Sequence, residues 1–162
     1  SLGNTYEFKK YSQFTEEMIG SFKIYLQSIT SLSSGKDVRV SERLNIPSRR
    51  IRGFEAGKIG PKDKSEFIGG NYVSAVSFGT SLPNFLPDLQ MIDFNIFIDA
   101  ANVWGVDYNS DLDKNKTIRS SAGLSIDWST PVGPLNFIIA QPITKSSSDI
   151  TETFSFNLGT SF

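Results

Sequence analysis

The sequence predicts an all-β fold of antiparallel strands, and its pattern favours a transmembrane β-barrel. About seven segments alternate apolar and polar residues with a period of two, and no segment shows the period of an amphipathic helix. The polar positions hold mainly Ser, Gly, Asn, Ala and Asp, whereas the water-facing side of a soluble β-sandwich would carry Lys, Glu and Thr. A soluble sandwich is the alternative, because it produces the same alternation.

The first part of the chain predicts two strands followed by a long connection. Residues 5–14 alternate weakly and residues 18–29 alternate clearly, and the polar residues 15–17 between them predict a turn. Residues 31–68 then form a connection of nearly forty residues that is rich in Gly, Ser and basic side chains. A connection of this length is uncommon in a compact domain and is usually functional.

Two central strands are predicted over residues 71–82 and 91–104. In the second of these strands one face carries Ile92, Phe94, Ile96 and Ile98. The opposite face carries Asp93, Asn95, Phe97 and Asp99. A polar, acidic loop over residues 106–117 follows.

The last third of the chain predicts three strands, over residues 120–128, 133–143 and 153–162. Thr130 and Pro131 begin a tight turn between the first two of them. In the last strand, one face carries Phe154, Phe156, Leu158, Thr160 and Phe162. Short turns at one end of a sheet and long loops at the other are typical of outer-membrane barrels.

The composition excludes several kinds of chemistry. The 162-residue chain contains no Cys and no His, which excludes disulfides, Cys/His zinc sites and a Ser-His-Asp triad. The net charge of −1 at pH 7 gives no overall attraction to nucleic acid. We therefore expect a protein that is not an enzyme, uses no cofactor or metal and binds no nucleic acid.

Isolated features fit other kinds of site poorly. The basic, glycine-rich segment 49–70 lacks a phosphate-loop motif and a following helix. Asp93 and Asp99 lie six residues apart on one predicted strand, roughly 20 Å, which is too far for paired acid–base catalysis. The acidic loop lacks the spacing of a calcium-binding EF-hand and is predicted to be exposed to solvent. Its acidic residues include Asp107, Asp111 and Asp113.

An ordered set of motifs resembles the BamA family of outer-membrane β-barrel assembly proteins. The set comprises IRGF at 51–54, IGPKD at 59–63, GGN at 69–71, FIDAANVW at 97–104, the segment 118–142 and the terminal FSFNLGTSF at 154–162. It covers about two-thirds of the chain, from Ser41 to the last residue, in the family's order. Each motif is weak by itself, but the ordered set is specific.

The resemblance implies that residues 1–162 form the C-terminal part, about seven strands, of a sixteen-stranded outer-membrane barrel, without the first barrel strands and the POTRA domains of the family. It implies a central component of the machinery that folds and inserts β-barrel proteins into the bacterial outer membrane, through a lateral seam that involves the last strand. The implied partners are outer-membrane lipids, nascent β-barrel proteins and accessory lipoproteins that bind POTRA domains. An outer-membrane secretion transporter or a passive pore of the same superfamily is the alternative.

The resemblance also implies the site residues. The connection 31–68 would be an extracellular loop that folds into the lumen, where Arg52 would pair with Asp99 of the barrel wall. A second acidic partner often seen one strand earlier is replaced by Gly79, so one carboxylate and backbone carbonyls would hold Arg52. The lumen-loop motif comprises Ile51, Arg52, Gly53, Phe54, Ile59, Gly60, Pro61, Gly69 and Gly70. The seam and terminal recognition strand comprises Phe154, Phe156, Leu158, Gly159 and Phe162.

Overall fold

Seven strands form a single antiparallel sheet in a computed structural model that describes residues 1–84, 86, 88, 91–107 and 116–159. The strands are β1 (Leu2–Gln13), β2 (Ile19–Thr30), β5 (Tyr72–Ser81), β6 (Ile92–Trp104), β7 (Arg119–Thr130), β8 (Gly133–Thr144) and β9 (Phe154–Leu158). The predicted all-β, antiparallel fold of seven strands is confirmed, and each predicted segment corresponds to one strand.

The order of strands in the sheet follows their order along the chain. Neighbours are β1-β2-β5-β6-β7-β8-β9, so the sheet is open and β1 and β9 are its two edges. The long connection separates β2 from β5, and we call its residues 31–71 the long loop. Within it, β3 (Lys62–Asp63) and β4 (Glu66–Phe67) form a small hairpin that the sequence did not predict.

Helical structure in the described residues is limited to two 3-10 turns, Val40–Glu42 and Ser48–Arg50, both in the long loop. No helix of the described part of the chain is long and apolar enough to cross a membrane.

The two faces of the sheet differ in the way that the alternation predicts. Phe78, Ile98, Ile139 and Phe156 are all about half exposed and lie on what we call the outer face, which is an apolar band. The opposite face, which we call the loop face because the long loop covers part of it, includes the fully buried Asp99. Successive residues of a strand point to opposite faces, so a strict period of two separates the sets.

The long loop packs on the sheet through a hydrophobic cluster. Its apolar side chains contact wall residues at one end of the loop face, and the cluster comprises Tyr25, Ile46, Ile51, Phe54, Ile59, Val73, Ala75, Ala101 and Val103. Full burial of one such Ile or Phe side chain contributes roughly 1.5–3 kcal/mol. At this end of the sheet the loop face therefore carries apolar wall residues such as Tyr25, Val73 and Val103, because the loop provides apolar partners there.

Candidate functional site: the docked loop and its wall

The centre of the site is an ion pair between the long loop and β6. Arg52 Nε lies 2.7 Å from Asp99 Oδ2, and Arg52 Nη2 lies 2.8 Å from Asp99 Oδ1, a two-point contact. The backbone N–H of Arg52 donates a further hydrogen bond to Asp99 Oδ2 at 3.1 Å. Asp99 is fully buried and the Arg52 side chain is 15% exposed. A buried carboxylate with this many donors is well satisfied, and the contact fixes both the side chain and the backbone of the loop.

Ser77 and Phe97 complete the surroundings of Arg52. Ser77 lies directly across from Asp99 in the β5–β6 pairing. Its hydroxyl donates to Asp99 Oδ1 at 2.6 Å and accepts from Arg52 Nη2 at 3.2 Å. The guanidinium carbon lies 3.5 Å from the centroid of the Phe97 ring, a cation–π contact. The expectation that backbone carbonyls would replace the acid missing at Gly79 is wrong: a hydroxyl and an aromatic ring take that place.

The backbone around Arg52 also contacts the wall. Ser121 of β7 donates from its hydroxyl to the carbonyl oxygen of Arg52. Gly53 has a φ of +92° and lies so close to the sheet that a Cβ would come within 3.1 Å of the Ala140 Cβ and 3.4 Å of the Ser121 Cβ. Only glycine combines this backbone conformation with so close an approach.

The other predicted motif residues also lie against the wall. Ile51, Phe54 and Ile59 are buried in the hydrophobic cluster, and a Cβ on Gly60 would lie 3.1 Å from the Val103 Cβ. Pro61 is buried and accepts a hydrogen bond from Ile68 N.

Gly69 and Gly70 close the loop just before β5. Gly70 exchanges two backbone hydrogen bonds with Leu44, at 2.8 and 2.9 Å. A Cβ on Gly69 would lie 2.6 Å from the Leu44 carbonyl oxygen, and one on Gly70 would lie 2.4 Å from that of Trp104. Both positions therefore admit no larger side chain without a shift of backbone atoms.

A second ion pair, which the sequence did not predict, fixes the first part of the loop. Arg43 Nη2 contacts Asp107 Oδ1, and Arg43 Nη1 donates to Asn71 Oδ1 at 3.1 Å. Val38 N donates to Asp107 Oδ2 at 2.9 Å. Burial by itself raises the pKa of Asp107, but the hydrogen bonds from Val38 N–H, Arg43 and Asn71 outweigh it and hold that pKa below its ordinary value.

A third ion pair links Arg50, just before the motif, to the wall. Arg50 Nη2 lies 2.7 Å from Glu7 Oε1 of β1, and the Arg50 guanidinium carbon lies 4.7 Å from the Tyr25 ring centroid. Arg50 is nearly buried, so it serves the packing of the loop. Three basic side chains of the long loop, Arg43, Arg50 and Arg52, thus each form an ion pair with a residue outside the loop.

A fourth ion pair lies between β7 and the turn that leads to the last strand. Arg119 donates from Nε and Nη2 to the two carboxylate oxygens of Asp149 at 2.8 and 3.0 Å, and from Nη1 to Asn102 Oδ1 at 2.7 Å. Both charged side chains are fully buried. The predicted strand 120–128 begins one residue after Arg119, and the sequence contained no signal that pairs Arg119 with Asp149, thirty residues later in a polar stretch.

The last strand carries the predicted seam residues on its exposed side. Phe154, Phe156 and Leu158 are exposed on the outer face, and Phe137 of β8 lies 5.1 Å from the Phe156 ring. Gly159 follows the strand with a φ of +109°, and its N–H donates to the Pro134 carbonyl oxygen. Phe162 lies outside the described residues.

The part of the loop face that the long loop leaves uncovered is polar. It forms an open concavity of about 580 Å³ whose wall includes Asp93, Asn95, Ser125 and Asp127. Among the described residues no three acidic side chains lie close enough together to hold a metal ion. Asp111 and Asp113 lie outside these residues.

Comparison with known families shows the family of this chain. The family model described as the Omp85 superfamily domain matches residues 3–162, almost the entire chain. The chain belongs to the Omp85 superfamily.

Two relatives and one solved structure that resemble this chain are named BamA. "Outer membrane protein assembly factor BamA" of Neisseria meningitidis serogroup B (strain ATCC BAA-335 / MC58) is 30% identical over 69% of this chain and 17% of the relative. The protein of the same name from Neorickettsia risticii (strain Illinois) is 26% identical over 80% of this chain and 18% of the relative. A crystal structure of BamA from Haemophilus ducreyi lacking POTRA domains 1–3 superposes with a TM-score of 0.84 at 27% identity. The superposition covers 95% of the present chain and 34% of the Haemophilus ducreyi BamA chain.

These comparisons confirm the resemblance to the BamA family and the location in the bacterial outer membrane. The chain spans less than a fifth of the curated BamA relatives, 17% and 18% of their lengths. The activity and the partners of the whole protein are therefore matters of proposal.

Proposed function

We propose that this Omp85 chain is the C-terminal part of the barrel of an assembly factor that folds β-barrel proteins and inserts them into the outer membrane. The observation that carries the proposal is the family match over residues 3–162, together with two relatives named as outer-membrane protein assembly factors. The role needs no covalent catalysis: the chain provides strand edges, a lumen wall and a docked loop. Nascent β-barrel proteins are the proposed clients, and outer-membrane lipids and accessory lipoproteins are further proposed partners.

The last strand is the proposed place where clients meet the sheet. Five residues of β9 pair with β8, whereas β7 and β8 are twelve residues long each. A short edge strand with unpaired N–H and C=O groups presents a template on which another strand can pair. Exposed Phe154, Phe156 and Leu158 would meet lipid beside this edge.

A folding assay tests the assembly role. The full-length protein in lipid vesicles is expected to accelerate folding of an unfolded β-barrel substrate relative to empty vesicles. A large, steady conductance in a planar bilayer without any acceleration of folding would instead support a passive pore and overturn the proposal.

Site-specific cross-linking tests the role of β9. The chain has no native cysteine, so Asn157→Cys in β9 and Asn95→Cys in the interior strand β6 are a matched pair. Both Asn residues lie on the loop face. A substrate with one cysteine in a terminal strand is expected to cross-link to position 157 and not to position 95. Equal cross-linking at both positions, or none at 157, would contradict a seam at β9.

A further inference from the structure

The connection between β8 and β9, residues 145–153, is bound to the long loop by backbone hydrogen bonds. Glu55 N donates to the Ile150 carbonyl oxygen at 3.0 Å, and Ile150 N donates to that of Lys58 at 3.1 Å. Glu152 N donates to the Gly53 carbonyl oxygen at 2.9 Å. Residues 51–58, which we call the RGF segment, and the β8–β9 connection thus form a short antiparallel pairing centred on the bridge between Phe54 and Thr151.

The same connection is held from its other side by β7. Asp149 receives two hydrogen bonds from Arg119, and its Oδ2 also accepts from Ser146 N at 2.8 Å. Because both partners are fully buried, the removal of one leaves a buried charge without its counter-charge. The ion pair therefore fixes the turn from which the connection approaches the RGF segment.

The connection leads directly into the last strand. Thr153 accepts a hydrogen bond from Ala140 N at 2.8 Å, and β9 begins at the next residue, Phe154. The beginning of β9 is therefore positioned by whatever positions residues 149–153. Among the described residues, its further pairing with β8 comprises five residue pairs, Leu135–Ile139 opposite Phe154–Leu158.

From these contacts we infer that Arg119 and Asp149 are positioning residues that join the docked RGF segment to the last strand as one cooperative unit. The Arg52–Asp99 pair docks the RGF segment, the segment binds the β8–β9 connection, and the connection fixes the beginning of β9. Undocking of the loop then weakens the pairing of β9 with β8, and loss of the Arg119–Asp149 pair weakens docking of the loop. Such reciprocity follows from any coupling between two sites.

The coupling itself rests on the contacts described above. Its consequence for regulation of the seam rests on the proposed function. If β9 is where a client strand pairs, the position of the loop sets how readily this edge opens. A client or lipid that displaces the loop would release β9, and a docked loop would hold it.

Hydrogen–deuterium exchange of the full-length protein in lipid vesicles, without any substrate, tests the coupling. Asp149→Asn keeps the size of the side chain and removes its charge. It is expected to accelerate exchange roughly tenfold at residues 150–158 and also at the RGF segment. Asp99→Asn, at the other end of the unit, is expected to accelerate exchange in the same segments. The double variant is expected to show less than the product of the two effects, because coupled sites are not additive.

Asp107→Asn is the matched control. It also removes one charge from an ion pair that holds the long loop, but its partner Arg43 donates hydrogen bonds to Val38, Asn71 and Gly105, which lie outside the β8–β9 connection. It is expected to accelerate exchange near Val38 and Arg43 and to leave residues 150–158 unchanged. Equal acceleration of β9 by all three variants would show general loosening of the loop and would overturn the specific coupling.

Two further results would overturn the inference. One is that Asp149→Asn accelerates exchange only at residues 145–153. The other is that Asp99→Asn frees the RGF segment and leaves β9 protected. Should Asp149→Asn fail to assemble, Arg119→Lys keeps the charge, loses the two-point contact and carries the same expectation. Coupling in a protein that does not accelerate substrate folding would overturn the proposed function and leave this inference standing.

Discussion

At the scale of single residues, the loop is held by groups that combine charge, hydrogen bonding and an aromatic face. Arg52 contacts one carboxylate, one hydroxyl and one ring, those of Asp99, Ser77 and Phe97. The single carboxylate is sufficient because it receives hydrogen bonds from the Arg52 side chain, the Arg52 backbone and Ser77. We therefore expect the two side chains that accept hydrogen bonds from the Arg52 guanidinium, Asp99 and Ser77, to contribute very unequally to docking.

Substitution of these two partners gives the first prediction. Asp99→Ala leaves a mostly buried guanidinium without its counter-charge and is expected to lower the free energy of opening of residues 51–54 by about 3 kcal/mol. Ser77→Ala removes one neutral hydroxyl and is expected to lower it by about 1 kcal/mol. Hydrogen exchange of the full-length protein measures both. Equal effects of the two substitutions, or an ordered loop in Asp99→Ala, would show that the ion pair is not what docks the loop.

The lowered pKa of Asp107 predicts an acid-sensitive contact. A carboxyl group whose folded pKa lies below its unfolded value near 3.8 contributes stability that is fully present above that value and lost as the pH falls through the folded pKa. We expect protection of residues 38–43 from hydrogen exchange, corrected for intrinsic rates, to be complete above about pH 4 and to fall as the pH is lowered further.

Asp107→Asn is the control for this acid response. It removes the titrating group, so the protection of residues 38–43 in this variant should be low at neutral pH and should lose its dependence on pH. A wild-type response that persists unchanged in Asp107→Asn would assign the titration to another group.

The family resemblance identified the Arg52–Asp99 pair, but nothing in the sequence identified Ser77 as its neighbour or Arg119 and Asp149 as a second buried pair. Alternation assigns each residue to a face of its strand. It does not provide the register, which makes Ser77 and not Gly79 the neighbour of Asp99. The register depends on turn geometry and on packing of the entire sheet. The Arg119–Asp149 pair depends in addition on the path of an irregular connection.

At the scale of elements, the strands were predictable and the path of the long loop was not. Period-two patterns located all seven strands because each has one apolar face. The long loop has no such period: its 3-10 turns, its hairpin and its apolar contacts arise from tertiary packing. The motif glycines were a usable signal, because glycine marks positions where a backbone turns sharply or approaches another closely.

A pair of glycine substitutions separates the need for a sharp backbone turn from the need for a close approach to the wall. Gly57 and Gly53 both have positive φ, +69° and +92°, but a Cβ on Gly57 would meet no atom within 4 Å, whereas one on Gly53 would press on Ala140 and Ser121. Gly57→Ala is expected to destabilise docking by about 1 kcal/mol from backbone strain. Gly53→Ala adds crowding against the wall, which costs about another 1–3 kcal/mol.

The readout is protection of residues 51–60 from hydrogen exchange in the full-length protein. We expect Gly53→Ala to reduce it more than Gly57→Ala does. The same loss of protection in both variants would mean that the loop is not in tight contact with β7 and β8 at Gly53.

At the scale of the whole molecule, the two faces of the sheet meet different surroundings. The outer face exposes a continuous set of Phe, Ile and Leu side chains, which suits the hydrocarbon region of the outer membrane. The loop face is filled at one end by the long loop and is open and polar at the other. A soluble sandwich would bury its apolar face against a second sheet, so the exposed apolar outer face favours the transmembrane barrel over the sandwich that the alternation left open.

The open edges of the sheet predict the behaviour of the 162-residue chain by itself. Every residue of β1 is exposed, and β9 is the other edge, so both present unpaired backbone groups. In detergent or lipid these groups have no water to pair with, and pairing with another copy is the available way to satisfy them. We expect light scattering with size-exclusion chromatography to give masses of dimers and larger species that increase with protein concentration. A folded monomer of 17.9 kDa at all concentrations would contradict the prediction, because it would require the edges to be satisfied within one chain.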